Sequence, residues 1–307
     1  MLALRPPYSS RRALPSDAEA AYAVAGADDE RVLGHPDGTL ADLRDDLESA
    51  TLEAWLVEHP QAGPVGYATV EPKGDAVVYL DLYTVDPGLG PQLLAALTAR
   101  GRELLAVAGE LRTSILRPDE RTAAWLEDAG WRRATSWARL RLELADPPPA
   151  PAPPGDVTVR RVPPGDEQGL RAVHGVIDAA FADSYGHVPE PFEEWFARLD
   201  ARSTVDWSQV WLAETASGPV GALYGSDDYV EDEQAGYVAR LGVLRAARGR
   251  GVARALLLTA FADVRARGLP AVLLHVDEQG TTGAYALYES VGMRRVLQVD
   301  AWVLPAG

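Results

Sequence analysis

Arginine and glycine alternate in a short loop, Arg248-Gly249-Arg250-Gly251, which follows a predicted strand and opens a predicted amphipathic helix. The first backbone N–H groups of a helix have no partner inside the helix, and the helix dipole adds partial positive charge there. Glycine permits tight turning and the close approach of a ligand. The segment therefore predicts an anion site suited to a diphosphate. The GxxxxGK[ST] pattern of a Walker A loop is absent.

Two motifs in the second half of the chain fit one known family. Residues 248–253 fit the pattern [Q/R]-x-x-G-x-[G/A], and residues 284–293 fit A-x-x-L-Y-x-x-x-G with Met293 at the usual phenylalanine. Thr281 stands at the usual asparagine. On these motifs residues 157–307 resemble the GNAT superfamily of acyl-CoA N-acyltransferases, and a weaker copy covers residues 1–145. The resemblance implies an α/β fold (an α+β mixed sheet) with two tandem GNAT domains.

The resemblance also implies a reaction. It predicts an N-acetyltransferase that moves an acetyl group from acetyl-CoA, the co-substrate, to a primary amine of a small molecule or peptide by direct attack. A non-catalytic acyl-CoA-binding sensor or scaffold is the alternative. The residues that the resemblance assigns to acetyl-CoA are Leu241, Gly242, Val243, Arg248, Gly249, Arg250, Gly251, Val252, Ala253, Arg254, Thr281 and Tyr288.

Tyr288 occupies the position from which the family protonates the departing CoA thiolate. A phenol with a pKa of about 10 is a plausible proton donor to a thiolate whose conjugate thiol has a pKa of about 8.5. The alternative is a core tyrosine, because Ala284, Leu287 and Val291 line the same helix.

An ammonium acceptor must lose a proton before it attacks, and this requires a general base. The strand position at which a tandem member of the family carries a glutamate holds Tyr237. Glu233 and Asp277 are therefore predicted as catalytic residues, in the role of general base. Glu231, Asp232 and His275 are further candidates for this role. For each acid the alternative is a solvated loop residue, and for His275 it is a core histidine.

The acceptor pocket is predicted over the early helices and first hairpin of the second half, near residues 181–187 and 227–229. The predicted substrate-binding residues are Asp183, Tyr185, Tyr237 and His275. Carboxylates there would attract a cationic amine, although they also match the acidic composition of the whole chain.

Hydrophobic periodicity predicts the elements that position these residues. The expected elements are a strand at 157–162, helices at 167–182 and 192–199, a hairpin at 210–224, a strand at 237–243, a helix at 251–267, a strand at 271–276, a helix at 282–291 and a closing pair of strands.

The chain contains two copies of one unit, separated by a segment with six prolines in ten residues, 146–155. The sequence Trp-Leu-x-Glu followed by Gly-Pro-Val-Gly begins at Trp55 and again at Trp211. In the first copy the glycine-rich loop is five residues shorter and contains Asp86, and Leu126 stands where Tyr288 stands in the second. We therefore predict a degenerate N-terminal GNAT domain at 1–146, a linker at 147–155 and a catalytic GNAT domain at 156–307. The N half is expected to pack against the C half as a structural partner, in a monomer or a dimer.

Composition narrows the remaining choices. The 307 residues carry a formal charge of −16, which argues against nucleic acid and anionic membranes as partners. Cysteine is absent and the five histidines form no HExxH pair, so we expect no metal. The chain has neither an apolar run of about 18 residues nor a signal-peptide core, and a cytoplasmic location is expected.

Overall fold

The computed structural model describes residues 1–145, 153–184, 187–278 and 283–306. The strands are β1 (Ser9–Arg12), β2 (Glu53–His59), β3 (Gly63–Lys73), β4 (Val77–Thr84), β5 (Gly109–Leu116), β6 (Arg132–Glu143), β7 (Thr158–Arg161), β8 (Val210–Thr215), β9 (Gly218–Ser226), β10 (Ala235–Val243), β11 (Ala271–Asp277) and β12 (Arg294–Ala306). The α-helices are α1 (Ala18–Leu33), α2 (Leu40–Glu48), α3 (Gly90–Leu104), α4 (Glu120–Asp128), α5 (Glu167–Phe181), α6 (Phe192–Asp200), α7 (Val230–Glu233), α8 (Val252–Ala266) and α9 (Ala284–Ser290). None of the helices in the described residues has the length and apolar character needed to cross a membrane.

The chain divides into two compact units. Unit 1 comprises residues 1–137 and 297–307, and unit 2 comprises residues 138–296. These units differ from the predicted halves in the last strand of each half: β6 belongs to unit 2 from Ala138 onward, and β12 belongs to unit 1 from Leu297 onward. Most of the proline-rich linker, residues 146–152, lies outside the described residues.

Each unit contains a mixed sheet. In unit 1 the strand order is β1-β2-β3-β4-β5-β12, with β4 and β5 parallel and their neighbours antiparallel. In unit 2 the order is β6-β11-β10-β9-β8-β7, with β10 and β11 parallel. The predicted elements of the second half agree with the observed ones within a few residues, apart from the closing pair of strands. That prediction is wrong, because β12 alone follows α9 in the described residues and β6 lies beside β11.

Helix α8 forms the centre of the unit 2 core. Val252, Leu256, Ala260 and Val264 recur at every fourth position and are all buried. This spacing places them on one face of the helix, which packs against the sheet. The packing holds the amino-terminal end of α8 next to the carboxyl-terminal end of β10.

We predict that a fragment beginning at Gly155 is much less stable than one beginning at Arg132. The shorter fragment lacks Ala138 and Leu140 of β6 and the following Leu144, which are at most 2% exposed within the unit 2 core. Loss of a buried leucine side chain costs about 2–5 kcal/mol. Urea unfolding of the two fragments measures the difference, and equal midpoints would show that β6 is dispensable for unit 2.

Candidate active site

Two parallel strands of unit 2 separate where the sequence places the acyl-group site. Pairing of β10 with β11 runs from Ala235 opposite Ala271 to Val238 opposite Leu274. Both strands continue, to Val243 and Asp277. Within the described residues the two strands therefore diverge over their last few positions, and this leaves one edge of β10 without a paired strand.

The backbone of β10 presents alternate residues to this edge. The Leu244 N–H donates to the Val220 carbonyl at 2.9 Å, so the backbone groups of residues 244, 242 and 240 face β9, up to the register shift after Val238. Leu241 and Val243 consequently direct their backbone groups toward the diverging side. The backbone groups of Gly242 face β9 instead. Its Cα packs against α5, where an added Cβ would lie 2.9 Å from the Cβ of Ala180.

The loop after β10 contains two exposed glycines and ends at the first turn of α8. Gly249 and Gly251 adopt φ values of 74° and 84°, a region that favours glycine, and both are exposed. Gly251 is the N-cap of α8, so the amides of Val252, Ala253 and Arg254 form the unpartnered first turn of a 15-residue helix. This geometry is suited to binding a phosphate group.

The three arginines of this region contact the protein itself. Arg248 donates from Nε to the Val243 carbonyl at 3.0 Å and from Nη2 to the Ala180 carbonyl at 3.2 Å, which ties the loop to β10 and α5. Arg250 pairs with Asp156. Arg254 donates to the Ser290 hydroxyl at 3.0 Å. Arg248 and Arg254 thus hold the loop and α9 in place, while their role toward a phosphate stays a prediction.

The matching loop of unit 1 has lost these features. The Asp86 carboxylate accepts from the Gly88 N–H at 2.9 Å and from the Tyr8 hydroxyl at 2.6 Å, which places a negative charge at the start of α3. An added Cβ at Gly90 would lie 2.1 Å from the Trp125 ring, so the indole covers the first turn. Pro91 also removes one N–H from that turn.

Charged side chains occupy the region beside the end of β4 in unit 1. Arg121 donates to the Thr84 carbonyl at 2.9 Å and pairs with Asp28 at 2.6 Å. Arg31 joins Asp28 to Asp119, with both contacts at 3.0 Å. Leu126, at the position that matches Tyr288, is fully buried in the apolar core.

Tyr288 lies on α9 and is 8% exposed. Within the described residues its hydroxyl has no assigned hydrogen-bond partner, although the ring packs in the unit 2 core. Burial raises the pKa of Tyr288 above its ordinary value of 10.0, and the nearby Tyr237 raises it further. The phenol therefore stays protonated at neutral pH, and Tyr237 and Tyr288 are close enough to interact electrostatically.

A hydrogen-bonded chain leads from β6 to Tyr237. The Nε of Arg139 donates to Nε2 of His275 at 3.2 Å, and Nδ1 of His275 lies 2.9 Å from the Tyr237 hydroxyl. Arg139 is only 4% exposed, and its guanidinium also contacts the Tyr229 hydroxyl at 3.2 Å. Burial raises the pKa of Tyr237 to about 12.

This chain fixes the direction of each proton. A guanidinium can only donate, so Nε2 of His275 must accept and the neutral ring carries its proton on Nδ1. Nδ1 then donates to the Tyr237 oxygen. The Tyr237 O–H is left to donate to another group, which makes Tyr237 a hydrogen-bond donor and not a base.

The two carboxylates predicted as the general base, Glu233 and Asp277, differ in their surroundings. The Glu233 carboxylate forms ion pairs with Arg139 at 3.3 Å and with Arg141 at 2.8 Å. Asp277 is half-buried at the end of β11, two residues after His275 and on the same face of the strand.

The other predicted residues fall outside this group. Asp183 is exposed in the turn after α5, and no described residue pairs with it. Tyr185 and Thr281 lie outside the described residues. Tyr237 and His275, predicted to bind substrate, are brought together as described above.

Arg139 is the site residue that sequence reasoning misses. It precedes the proline-rich linker and so falls in the predicted N-terminal domain, whereas the structure places it beside His275. One signal was available. Arg139 and Arg141 alternate with Ala138, Leu140 and Leu142, and an arginine inside such an apolar strand must find buried partners.

Comparison with known proteins agrees with the geometry. The acetyltransferase (GNAT) family profile matches residues 175–293. Mycothiol acetyltransferase of Thermobispora bispora is 34% identical over 300 residues, covering 92% of this chain and 95% of that protein. The structure of a GCN5-related N-acetyltransferase from Sphaerobacter thermophilus superposes with a TM-score of 0.82 at 26% identity, covering 99% of this chain and 97% of that one.

A second solved structure bears on the architecture. The tandem GNAT protein from the clavulanic acid biosynthesis pathway has a TM-score of 0.72 at 17% identity and covers 98% of this chain and 99% of its own. This confirms the predicted mixed α/β fold with two tandem GNAT domains. The relatives' activities do not favour the alternative of a non-catalytic sensor. The chain belongs to the GNAT family and is an acetyl-CoA-dependent N-acyltransferase.

Proposed function

We propose that unit 2 transfers the acetyl group of acetyl-CoA to a primary amine of a small molecule by direct attack, with a mycothiol-related amine as the first candidate acceptor. The observation that carries the proposal is the unpaired edge of β10, in the same unit as the glycine-capped first turn of α8 and the buried Tyr288. The name of the Thermobispora bispora relative supplies the acceptor class.

The residues of unit 2 fit acetyl-CoA. The amides of Gly251, Val252 and Ala253 would hold its pyrophosphate, and Leu241 and Val243 would hold its pantetheine arm by backbone hydrogen bonds. When bound, acetyl-CoA supplies an activated acetyl group and a thiolate leaving group. Unit 1 does not fit acetyl-CoA in this way. Asp86 places a negative charge at the start of α3, Trp125 covers the first turn of α3, and Pro91 lacks an N–H there.

The backbone of β10 would stabilise the negative charge that develops on the acyl oxygen. The Leu241 N–H points to the unpaired edge and is held by the strand, so it needs no reorganisation as the reaction proceeds. Tyr288 would give its proton to the departing sulfur. Its raised pKa keeps the proton available through the neutral range.

The acceptor would react as the free amine, which has lost one proton to solvent, and the proton released from its nitrogen after attack would replace the one that Tyr288 gives to the sulfur. Tyr237 is oriented as a donor by His275, and the Glu233 carboxylate is engaged in ion pairs with two arginines. We therefore expect kcat/KM to rise with pH as the free acceptor amine loses its proton. Two acceptors with different amine pKa values measure this. If the rising limb stays at one pH for both acceptors, a protein group acts as the base.

Arg139 acts in this scheme as a positioning residue for Tyr237. We predict that Arg139→Met lowers kcat/KM for the acceptor about tenfold, the effect of losing one hydrogen bond worth about 1.4 kcal/mol. The affinity for acetyl-CoA should stay unchanged. Nitrogen NMR of His275 should show that the Nδ1–H form loses its dominance, a change that general destabilisation does not cause.

Arg141→Met is the matched control. Arg141 lies on the same strand and pairs with Glu233, but its guanidinium has no assigned contact with His275 within the described residues. Equal losses of activity in the two variants, with no change in the His275 tautomer, would assign Arg139 to packing alone.

A screen of acceptors tests the proposed function. The full chain is incubated with acetyl-CoA and a panel of a mycothiol-related amine, simple alkylamines, an aminoglycoside and a peptide, and released thiol is measured. We expect release that depends on one class of small amine. Turnover of the peptide alone would contradict the small-molecule assignment, and release that no amine stimulates would contradict the transfer reaction.

A further inference from the structure

Four polar side chains form a cluster on one face of the β3–β4 hairpin in unit 1. Tyr67 lies directly opposite Tyr83, and Thr69 lies directly opposite Asp81. The two tyrosine rings stack with centroids 6.1 Å apart, and the Thr69 hydroxyl donates to the Asp81 carboxylate at 3.3 Å. We name these four residues the Asp81 cluster.

Asp81 is a half-buried carboxylate without a counter-ion. No described ion pair includes it, and the Thr69 hydroxyl is its hydrogen-bond donor in the described residues. Burial is the main cause that raises the pKa of Asp81 to about 6, and the acids Asp46 on α2 and Glu71 on β3 add to the effect. Carboxylates this far from solvent normally have a cationic partner.

The Tyr67 hydroxyl is a second unsatisfied group in the cluster. Tyr67 is 1% exposed, and its hydroxyl has no hydrogen-bond partner in the described residues. Tyr67 lies on the same face of the hairpin as Asp81, in the next residue pair along that face. Burial raises the pKa of Tyr67, and the charges of Asp46 and Asp81 raise it further. Buried hydroxyls almost always have a partner, and this one lacks it beside an unpaired anion.

Further acids surround the second tyrosine. Asp81, Asp29 on α1 and Asp37 in the α1–α2 loop all raise the pKa of Tyr83. The geometry places the Asp81 carboxylate beside two stacked aromatic rings, and the other acids add negative charge to this region. A carboxylate beside aromatic faces is the arrangement that binds organic cations.

We propose that the Asp81 cluster binds a small organic ammonium ion, such as a protonated primary amine, at a site in unit 1 separate from catalysis. The ammonium N–H groups would donate to Asp81 and to the Tyr67 oxygen, and the tyrosine rings would contact the alkyl part. A metal site is disfavoured because no group of three or more metal-binding side chains lies together in the described residues.

Titration of the full chain with ethylammonium chloride, in the absence of acetyl-CoA, tests the proposal by calorimetry. At pH 7.5 we expect binding that Asp81→Asn weakens at least about tenfold, the effect of losing a charge-assisted hydrogen bond. Glu71→Gln is the matched control, because Glu71 pairs with Lys73 at 2.5 Å and should leave the affinity within about twofold. Equal affinities in the Asp81→Asn variant and the native chain would overturn the site.

The pH dependence of ethylammonium binding is a second test of the proposal. It uses the native chain and so does not require a variant to fold correctly. Asp81 becomes protonated below about pH 6, so binding should weaken between pH 7.5 and pH 5. Carboxyl carbon NMR should also show the pKa of Asp81 falling when ethylammonium is present. An Asp81 pKa that ethylammonium does not change would overturn the proposal, including the case in which the amine binds only to unit 2.

Discussion

Replacement of Tyr288 by phenylalanine is expected to lower kcat by about 10²–10⁴-fold, the contribution of a positioned general acid. The substitution keeps the ring that packs in the unit 2 core and removes only the hydroxyl. Affinity for acetyl-CoA should change little, because the backbone amides of α8 and β10 carry the binding. Steady-state kinetics and calorimetry measure the two quantities separately.

Tyr285→Phe is the control for this experiment. Tyr285 lies on the same helix and packs against the same core, and it is half-buried. Its variant should retain full activity. Because the pKa of Tyr288 is raised, the native enzyme should also keep its rate at alkaline pH up to at least about pH 10. An unchanged kcat in Tyr288→Phe would make Tyr288 a packing residue.

Gly251→Val is expected to weaken acetyl-CoA binding at least about 100-fold. The valine side chain would stand at the N-cap of α8 and block close approach to the first-turn amides, and each lost charge-assisted hydrogen bond costs about 1.5–3 kcal/mol. The φ of 84° also strains any residue with a Cβ, which costs about 1–2 kcal/mol of stability. Calorimetry measures the affinity and urea unfolding measures the stability.

Gly268→Val separates these two effects. Gly268 follows the other end of α8, has a φ of 85° and has open space around its Cβ position. Its variant should lose similar stability and still bind acetyl-CoA. If both variants bind acetyl-CoA with native affinity, the first turn of α8 does not hold the pyrophosphate.

Local signals in the sequence predict the elements of unit 2 well. In α8 an apolar residue recurs at every fourth position, and β11 is a continuous apolar run. From these patterns the sequence predicts the ends of both elements to within a residue or two. The alternating glycines identify the loop before α8 because their positive φ values are a local property. The shorter loop and Asp86 likewise distinguish the two halves, and Asp86 does accept hydrogen bonds in that loop.

Contacts between distant parts of the chain could not be predicted in this way. Strand β6 belongs by sequence to the first half, yet its residues from Ala138 complete unit 2, because strand pairing depends on the whole sheet. The partners of Glu233 were missed for the same reason, since Arg139 and Arg141 are more than ninety residues away in sequence. The direction of the Tyr237 proton depends on Arg139, and no local pattern reveals it.

Calorimetric titration of the full chain with acetyl-CoA bears most directly on an active site confined to unit 2. The intact first turn of α8 and the covered first turn of α3 predict one molecule bound per chain. The Gly251→Val variant should then bind at that one site at least about 100-fold more weakly. Two equivalent sites in the native chain, or a single site that keeps its native affinity in Gly251→Val, would contradict this assignment.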